Sequence, residues 1–146
     1  MNAACFAPDG RSVLSASRDG DARLWDVDSR KELLRLKHQD WLPVAIFLGE
    51  HAEYIATGDD FGTIRIWSSA DGSLVREMPD PETRIRALCE VPQENLLISS
   101  SGDPAHSLRF WNWKTGVPDM RVPDGTIVLE PYQWSGALHL SPDRKK

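Results

Sequence analysis

The sequence predicts an all-β fold made of repeated four-stranded antiparallel units. Three observations support this prediction. A segment with the same pattern of residues recurs three times, and short runs alternate apolar and polar side chains. In addition, ten glycines and ten prolines are scattered evenly through the 146 residues. Because glycine and proline interrupt helices, this distribution argues against long helices, and no segment shows a helical period.

The repeat is aligned on three tryptophans. Trp25, Trp67 and Trp111 are separated by 42 and 44 residues. The segments that end at them are SVLSASRDGDARLW, YIATGDDFGTIRIW and NLLISSSGDPAHSLRFW. The two additional residues of the third unit fall in the turn at 102–106, where an insertion costs little because loops tolerate changes in length.

Each unit is divided by turn residues into four predicted strands. In the first unit the turns are centred on Asp19-Gly20 and on Asp28-Ser29. Four strands at a period near 43 are typical of a β-propeller blade. The predicted strands are 1–6, 13–17, 22–25 and 32–36; 41–47, 55–58, 63–67 and 73–78; and 84–91, 96–100, 107–111 and 117–122.

The predicted domain is one partial propeller with blades at about 1–36, 37–78 and 79–122. Residues 137–144 resemble residues 4–11, which predicts one extra strand in an incomplete fourth blade at about 123–146. Such a ring is not closed, since propellers need at least four blades. We therefore expect exposed apolar blade faces, and either self-association or further propeller blades that close the ring. The sequence leaves open whether the chain is a natural product or a fragment.

Three segments show a resemblance to a known family. They are FAPDGRSVLSASRDGDARLWD at 6–26, KHQDW at 37–41 and GTIRIW at 62–67. The chain resembles the WD-repeat β-propeller family over residues 1–122, and more weakly beyond. Only the first unit keeps the Trp-Asp pair, as Trp25-Asp26, whereas Ser68 and Asn112 follow the other two tryptophans.

The resemblance implies a buried hydrogen-bond chain of His, Asp, Ser or Thr, and Trp in a blade. In the second unit, Asp59 stands at the Ser position of this chain and Phe61 at the Asp position, so no blade is expected to complete it. The candidate members are Ser17, Asp19, Trp25, His38, Trp67 and Trp111.

No residue pattern indicates catalysis, a cofactor or a metal. The four histidines lie in different units without the spacing of metal ligands. The adjacent Asp59 and Asp60 are interpreted as a β-turn, and Cys5 and Cys89 as small buried side chains. The prediction is therefore a protein that is not an enzyme. Arg23, Arg65 and Arg109 recur at the same place in each unit, which favours a structural role.

The resemblance further implies a partner-binding rim, formed by turns at one face of the propeller. Trp41 is its strongest candidate anchor, since aromatic and arginine side chains dominate interfaces. The alternative is that Trp41 packs against the neighbouring blade. The candidate rim residues are Arg18, Gln39, Asp40, Trp41, Asp60, Thr83 and Arg84.

The predicted function is a non-catalytic protein–protein interaction scaffold with a protein or peptide partner. The net charge of −5 and pI near 5.3 disfavour nucleic acid and anionic membranes as partners. No signal peptide or membrane-spanning stretch is visible, which favours a cytoplasmic location and leaves a nuclear one open. Two alternatives remain: a regulatory or sensor propeller portion of a larger multidomain protein, for example a kinase- or protease-linked one, or a truncated product without independent function.

Overall fold

The computed structural model describes residues 2–80, 83–91, 94–101, 108–119 and 126–127. These residues form three antiparallel sheets, each with four strands ordered as in the chain, and the third sheet has a fifth strand outside this order. They contain neither an α-helix nor a closed sheet. The predicted all-β fold of three four-stranded blades is confirmed. No described segment is a helix long and apolar enough to cross a membrane.

The three sheets follow one another along the chain. Sheet 1 contains β1 (Ala3–Phe6), β2 (Ser12–Ala16), β3 (Asp21–Asp26) and β4 (Glu32–Lys37). Sheet 2 contains β5 (Val44–Leu48), β6 (Tyr54–Gly58), β7 (Thr63–Ser68) and β8 (Leu74–Pro79). Sheet 3 contains β9 (Ile85–Val91), β10 (Leu96–Ser101), β11 (Leu108–Asn112) and β12 (Val117–Pro118), and β13 (Thr126–Ile127) also pairs with β11.

The first two sheets share their strand register. Trp25 is opposite Val13, and Trp67 is opposite Ile55, so each tryptophan faces an apolar residue of the preceding strand. The register of β3 with β4 shifts at Trp25, and that of β7 with β8 shifts at Trp67. The outermost strand of sheet 3, β12, covers Val117–Pro118, and residues 120–122 of the strand predicted at 117–122 lie outside the described residues. The extra strand predicted from residues 137–144 lies outside the described residues.

The core lies between the sheets, so that each sheet buries one face of the next. Sheet 2 is covered on both faces. Its Ile55 and Trp67 pack in a cluster with sheet 1, while its Ile64 and Ile66 pack in a second cluster with sheet 3. The residues that sheet 1 and its connection to β5 contribute to the first cluster are Leu14, Ala16, Ala22, Leu36 and Leu42. The residues that sheet 3 contributes to the second are Ile85, Leu88, Leu97 and Trp111, joined by Trp113 of the following turn.

Candidate interaction rim and the hydrogen-bond chain beneath it

Turns and inter-sheet connections meet at one edge of the sheets, which we call the rim. It consists of the β2–β3 turn (17–20), the β4–β5 connection (38–43), the β6–β7 turn (59–62) and the described part of the β8–β9 connection (80 and 83–84). Backbone hydrogen bonds join these segments. The Leu42 N–H donates to the Ser17 carbonyl at 3.3 Å, and the Asp60 N–H donates to the Trp41 carbonyl at 3.1 Å. The rim is therefore tied together by backbone atoms of sheets 1 and 2.

Trp41 lies at the centre of the rim, between arginines from two other segments. The guanidinium carbons of Arg18 and Arg86 are each 5.2 Å from the centroid of its indole ring. Its backbone N–H donates to Asp40 Oδ1 at 2.5 Å. The indole is partly exposed, and its buried Nε1–H has no hydrogen-bond partner among the described residues. This arrangement fixes the ring by cation–π contacts and leaves a donor unused.

Asp60 connects the rim to sheet 3 through two arginines. Its carboxylate is 2.9 Å from Arg86 Nη1 and 3.8 Å from Arg84 Nη1. The Arg84 side chain is 66% exposed, whereas that of Arg86 is 29% exposed. The structure therefore brings together Arg18, Asp40, Trp41, Asp60 and Arg84 of the predicted rim.

Two other predicted rim residues occupy different environments. Gln39 is exposed on the connection beside Trp41. Thr83 is only 5% exposed, and its hydroxyl donates to the Asp80 carbonyl at 3.4 Å, so it closes a turn and cannot offer its side chain to a partner. Sequence reasoning missed Arg86 because this residue lies inside β9 rather than in a turn. Alternation along β9 places its side chain on the same face as that of Leu88.

Beneath the rim, sheet 2 contains a complete buried hydrogen-bond chain. Trp67 Nε1–H donates to Thr57 Oγ1 at 2.8 Å, and His38 Nε2 lies 2.7 Å from the same oxygen. His38 Nδ1 is 3.3 Å from Asp59 Oδ2 and 2.6 Å from Arg65 Nη1, so a protonated Nδ1 donates to Asp59 and an unprotonated one accepts from Arg65. The expectation that no blade completes the chain is wrong for this sheet, because Thr57 and Asp59 are its Thr and Asp members.

The hydroxyl that bonds to Trp25 lies two residues earlier in the chain than predicted. Each tryptophan bonds to a hydroxyl ten residues before it in sheets 1 and 2, namely Ser15 for Trp25 and Thr57 for Trp67. Trp25 Nε1–H donates to Ser15 Oγ at 2.9 Å, so Ser17 is not its partner. Asp19 belongs to an exposed ion pair with Arg23 at 2.8 Å instead of a buried chain.

The pKa values of the two aspartates reflect these different surroundings. Burial by itself raises the pKa of Asp59, but hydrogen bonds from His38 and from the backbone N–H groups of Thr63 and Phe61 outweigh it, so the pKa lies below its usual value. The Arg23 guanidinium, helped by Ser17, lowers the pKa of exposed Asp19 to about 2. Both carboxylates are held in their ionised form.

Sheet 3 contains a variant of the same arrangement. Trp111 Nε1–H donates to Ser99 Oγ at 2.9 Å, and these two residues are twelve positions apart in sequence because of the insertion in the turn. Asp80 occupies the place that His38 has 42 residues earlier, and its carboxylate is 2.8 Å from Arg109 Nη1. Arg109 thus pairs with a buried carboxylate at the position where Arg65 contacts the imidazole of His38.

The described residues offer no metal centre: among them, no group of three or more His, Cys, Asp or Glu side chains could hold an ion. The polar side chains of the hydrogen-bond chain in sheet 2 are engaged with one another and with backbone groups, as buried polar groups require. The rim is the place where charged and aromatic side chains remain partly accessible.

Comparisons with known proteins agree with this architecture. The family described as WD domain, G-beta repeat matches residues 1–26. A WD repeat-containing protein 55 homolog of Drosophila erecta is 31% identical over 100 residues, which cover 67% of this chain and 20% of that protein. WD repeat-containing protein 55 of Pongo abelii is 29% identical over 101 residues, which cover 69% of this chain and 26% of that protein.

Two solved structures have the same fold. They are described as the crystal structure of RRP9 WD40 repeats and the structure of U3-55K. Each matches with a TM-score of 0.72 at 18% identity, covering 81% of this chain and 37% of the other. The chain spans about a fifth to a quarter of the length of the two relatives compared above. The resemblance to the WD-repeat family found in the sequence is therefore confirmed.

Proposed function

We propose that this chain is a non-catalytic protein–protein interaction scaffold whose partner docks on the rim around Trp41. WD-repeat proteins are generally interaction scaffolds that bind protein partners. The location at the rim rests on the geometry of this chain. The single observation that carries it is the partly exposed Trp41 indole, held against Arg18 and Arg86 with its N–H unused.

This geometry suits the centre of an interface. Tryptophan and arginine are the residues that most often carry binding energy, particularly where neighbouring contacts hold them in place. Both guanidinium contacts restrict the Trp41 ring, so little side-chain entropy is lost on binding.

The test is capture of partners by the immobilised full chain from a cell extract, with the bound proteins quantified by mass spectrometry. Trp41→Ala should remove most of the proteins retained by the wild-type chain. Val27→Ala is the matched control, because Val27 is an exposed apolar side chain in the β3–β4 turn at the opposite edge. Equal recovery with Trp41→Ala and Val27→Ala would show that the rim is not the binding surface.

A second proposal concerns the face of sheet 1 that faces away from sheet 2. Phe6 on this face is 67% exposed, and Val13 and Trp25 are partly exposed. The corresponding face of sheet 2 is covered by sheet 1 itself. Because large exposed apolar side chains favour association, the isolated chain should bind a second copy through this face.

Size-exclusion chromatography with light scattering tests the second proposal. The wild-type chain should elute as a dimer or a larger species, and Phe6→Asp should shift it toward the monomer. The same substitution at Val117, which is 55% exposed on the outermost strand β12, is the control and should change nothing. A wild-type monomer that binds no hydrophobic dye would contradict the proposal.

The remaining parts of the functional hypothesis stay predictions. They are the blade boundaries, the cytoplasmic location, and the alternatives of a portion of a larger multidomain protein or of a truncated product.

A further inference from the structure

We propose that the rim binds an acidic segment of its partner protein, with glutamate or aspartate side chains seated on the arginines around Trp41. This inference rests on the proposed function and specifies the chemistry of the partner. It starts from an accumulation of like charge. Arg18, Arg84 and Arg86 come from sheets 1 and 3 and lie around one tryptophan, in a chain whose net charge is −5.

The carboxylates of the rim do not neutralise these three arginines. Asp60 is close to Arg86 at 2.9 Å and more distant from Arg84 at 3.8 Å. Asp40 is engaged by the Trp41 backbone N–H. Within the described part of the chain, Arg18 contacts the Trp41 ring and forms no ion pair. Two guanidinium groups are therefore available to an anion from outside.

The arginines that recur at the same place in each sheet differ from Arg18 and Arg84 in their carboxylate partners. Arg23 contacts Asp19 and Asp21, each at 2.8 Å. Arg65 contacts Glu77 at 2.7 Å, and Arg109 contacts Asp80 at 2.8 Å. Each of these arginines has a close carboxylate supplied by the fold, whereas among the described residues Arg18 has none and Arg84 has a distant one.

A guanidinium beside an aromatic ring is well prepared to bind a carboxylate. The ring holds the planar group in position, and the N–H donors along its edge match the two oxygens of a carboxylate. The neighbouring Phe61 is 68% exposed on the β6–β7 turn and offers an apolar contact at the same edge. The surface therefore fits a short segment that combines acidic residues with an apolar one.

A protein segment fits this surface better than a nucleic acid. The net charge of −5 repels a long polyanion, and the phosphates of a nucleic acid strand would also meet Asp40 and Asp60. A few carboxylates on a peptide can instead occupy Arg18 and Arg84 without crossing the acidic surface.

The test is fluorescence anisotropy with the full chain and a fluorescein-labelled peptide of sequence Glu-Glu-Leu-Phe-Glu-Glu. The comparison ligands are the same peptide with lysine in place of glutamate, and a single-stranded oligothymidylate. The glutamate peptide should bind best, and its affinity should fall as salt is raised. The double variant Arg18→Gln/Arg84→Gln should weaken binding about fivefold, since two exposed charge contacts are lost.

Arg11→Gln is the matched control, because Arg11 is an exposed arginine in the β1–β2 turn at the opposite edge, and it should bind as the wild type does. Thermal melts confirm that all variants are folded. Equal binding of the lysine peptide, tighter binding of the oligonucleotide, or no loss in the double variant would overturn the proposal. If Trp41→Ala abolishes partner capture but the glutamate peptide does not bind, the acidic specificity is wrong while the function of the rim stands.

Discussion

Sheets 1 and 2 are built from equivalent residues and yet differ in burial. Trp67 is 8% exposed and Ile55 is fully buried, whereas Trp25 and Val13, 42 residues earlier, are partly exposed. The pairs have the same register, Val13 opposite Trp25 and Ile55 opposite Trp67. The difference arises because sheet 1 covers this face of sheet 2, while no described residue covers the same face of sheet 1.

The polar groups show the same dependence on the preceding sheet. Ser15 and Thr57 both accept a hydrogen bond from the tryptophan of their sheet. Within the described part of the chain, only Thr57 also contacts a histidine, His38, which lies on the connection between sheets 1 and 2. One unit therefore supplies the next with both its apolar cover and its missing polar partner, which is why such repeats are stable only as neighbours.

The largest expected effect comes from removing the tryptophans. Trp67→Ala should lower the free energy of unfolding by about 3–5 kcal/mol, as expected for a buried aromatic side chain. Trp25→Ala should cost about half as much, since its ring is already partly in solvent. Urea unfolding followed by circular dichroism measures both. Equal losses would show that the cover provided by sheet 1 adds little.

The next effect concerns Gly20 and Gly62, which have φ values of 85° and 83° in equivalent turns. A Cβ at Gly62 would lie 1.9 Å from the Asp80 carbonyl oxygen, and one at Gly20 would lie 2.9 Å from that of Asp40. Gly62→Ala should cost about 3 kcal/mol, because backbone must move, and Gly20→Ala less.

Gly10 provides the control for these two glycines. Its φ is 70° and a Cβ there meets nothing within 4 Å, so Gly10→Ala should cost only the conformational penalty of about 1 kcal/mol. Thermal or urea unfolding should rank the losses in the order Gly62, Gly20, Gly10. The reverse order would mean that the close approach of the inter-sheet connections to the turns at Gly20 and Gly62 does not determine the cost of these substitutions.

The sequence was sufficient to predict the strands and the repeat, but not the pairing of individual polar side chains. The periodic tryptophans and turns fix the strand order. The partner of Trp25 depends on the hairpin register, which places Ser15 rather than Ser17 next to the indole. Arg86 was not predicted for a related reason, since its contact with Trp41 depends on how two sheets pack against each other. Such contacts depend on the packing of residues that are far apart in sequence, and the local residue pattern does not predict them.

A smaller effect is expected from the hydroxyl groups. Thr57→Val keeps the shape of the side chain but removes the acceptor of Trp67 and the partner of His38, so it should cost about 1–3 kcal/mol. Ser15→Ala removes the acceptor of the partly exposed Trp25, and water can replace it, so the loss should be below about 1 kcal/mol. Thr57→Ser retains the hydroxyl and should recover most of the stability in urea unfolding. If Thr57→Val and Ser15→Ala cost the same, His38 contributes nothing to the chain in sheet 2.

The smallest effect is the dependence of stability on pH, and it separates the two aspartates. The folded-state pKa of Asp59 is lowered, so its ionised form stabilises the fold fully above the unfolded pKa of about 3.9. That contribution is lost as the pH falls through the folded-state pKa. Asp59→Asn should therefore be less stable than the wild type at neutral pH, with the difference shrinking below about pH 4.

Asp19, with a pKa of about 2, follows the same sign between about pH 4 and 2, but its exposure to solvent makes the change weaker in Asp19→Asn. Urea unfolding of the three proteins across this range measures the differences, and a constant difference for Asp59→Asn down to the lowest pH would show that its ionisation is not linked to folding.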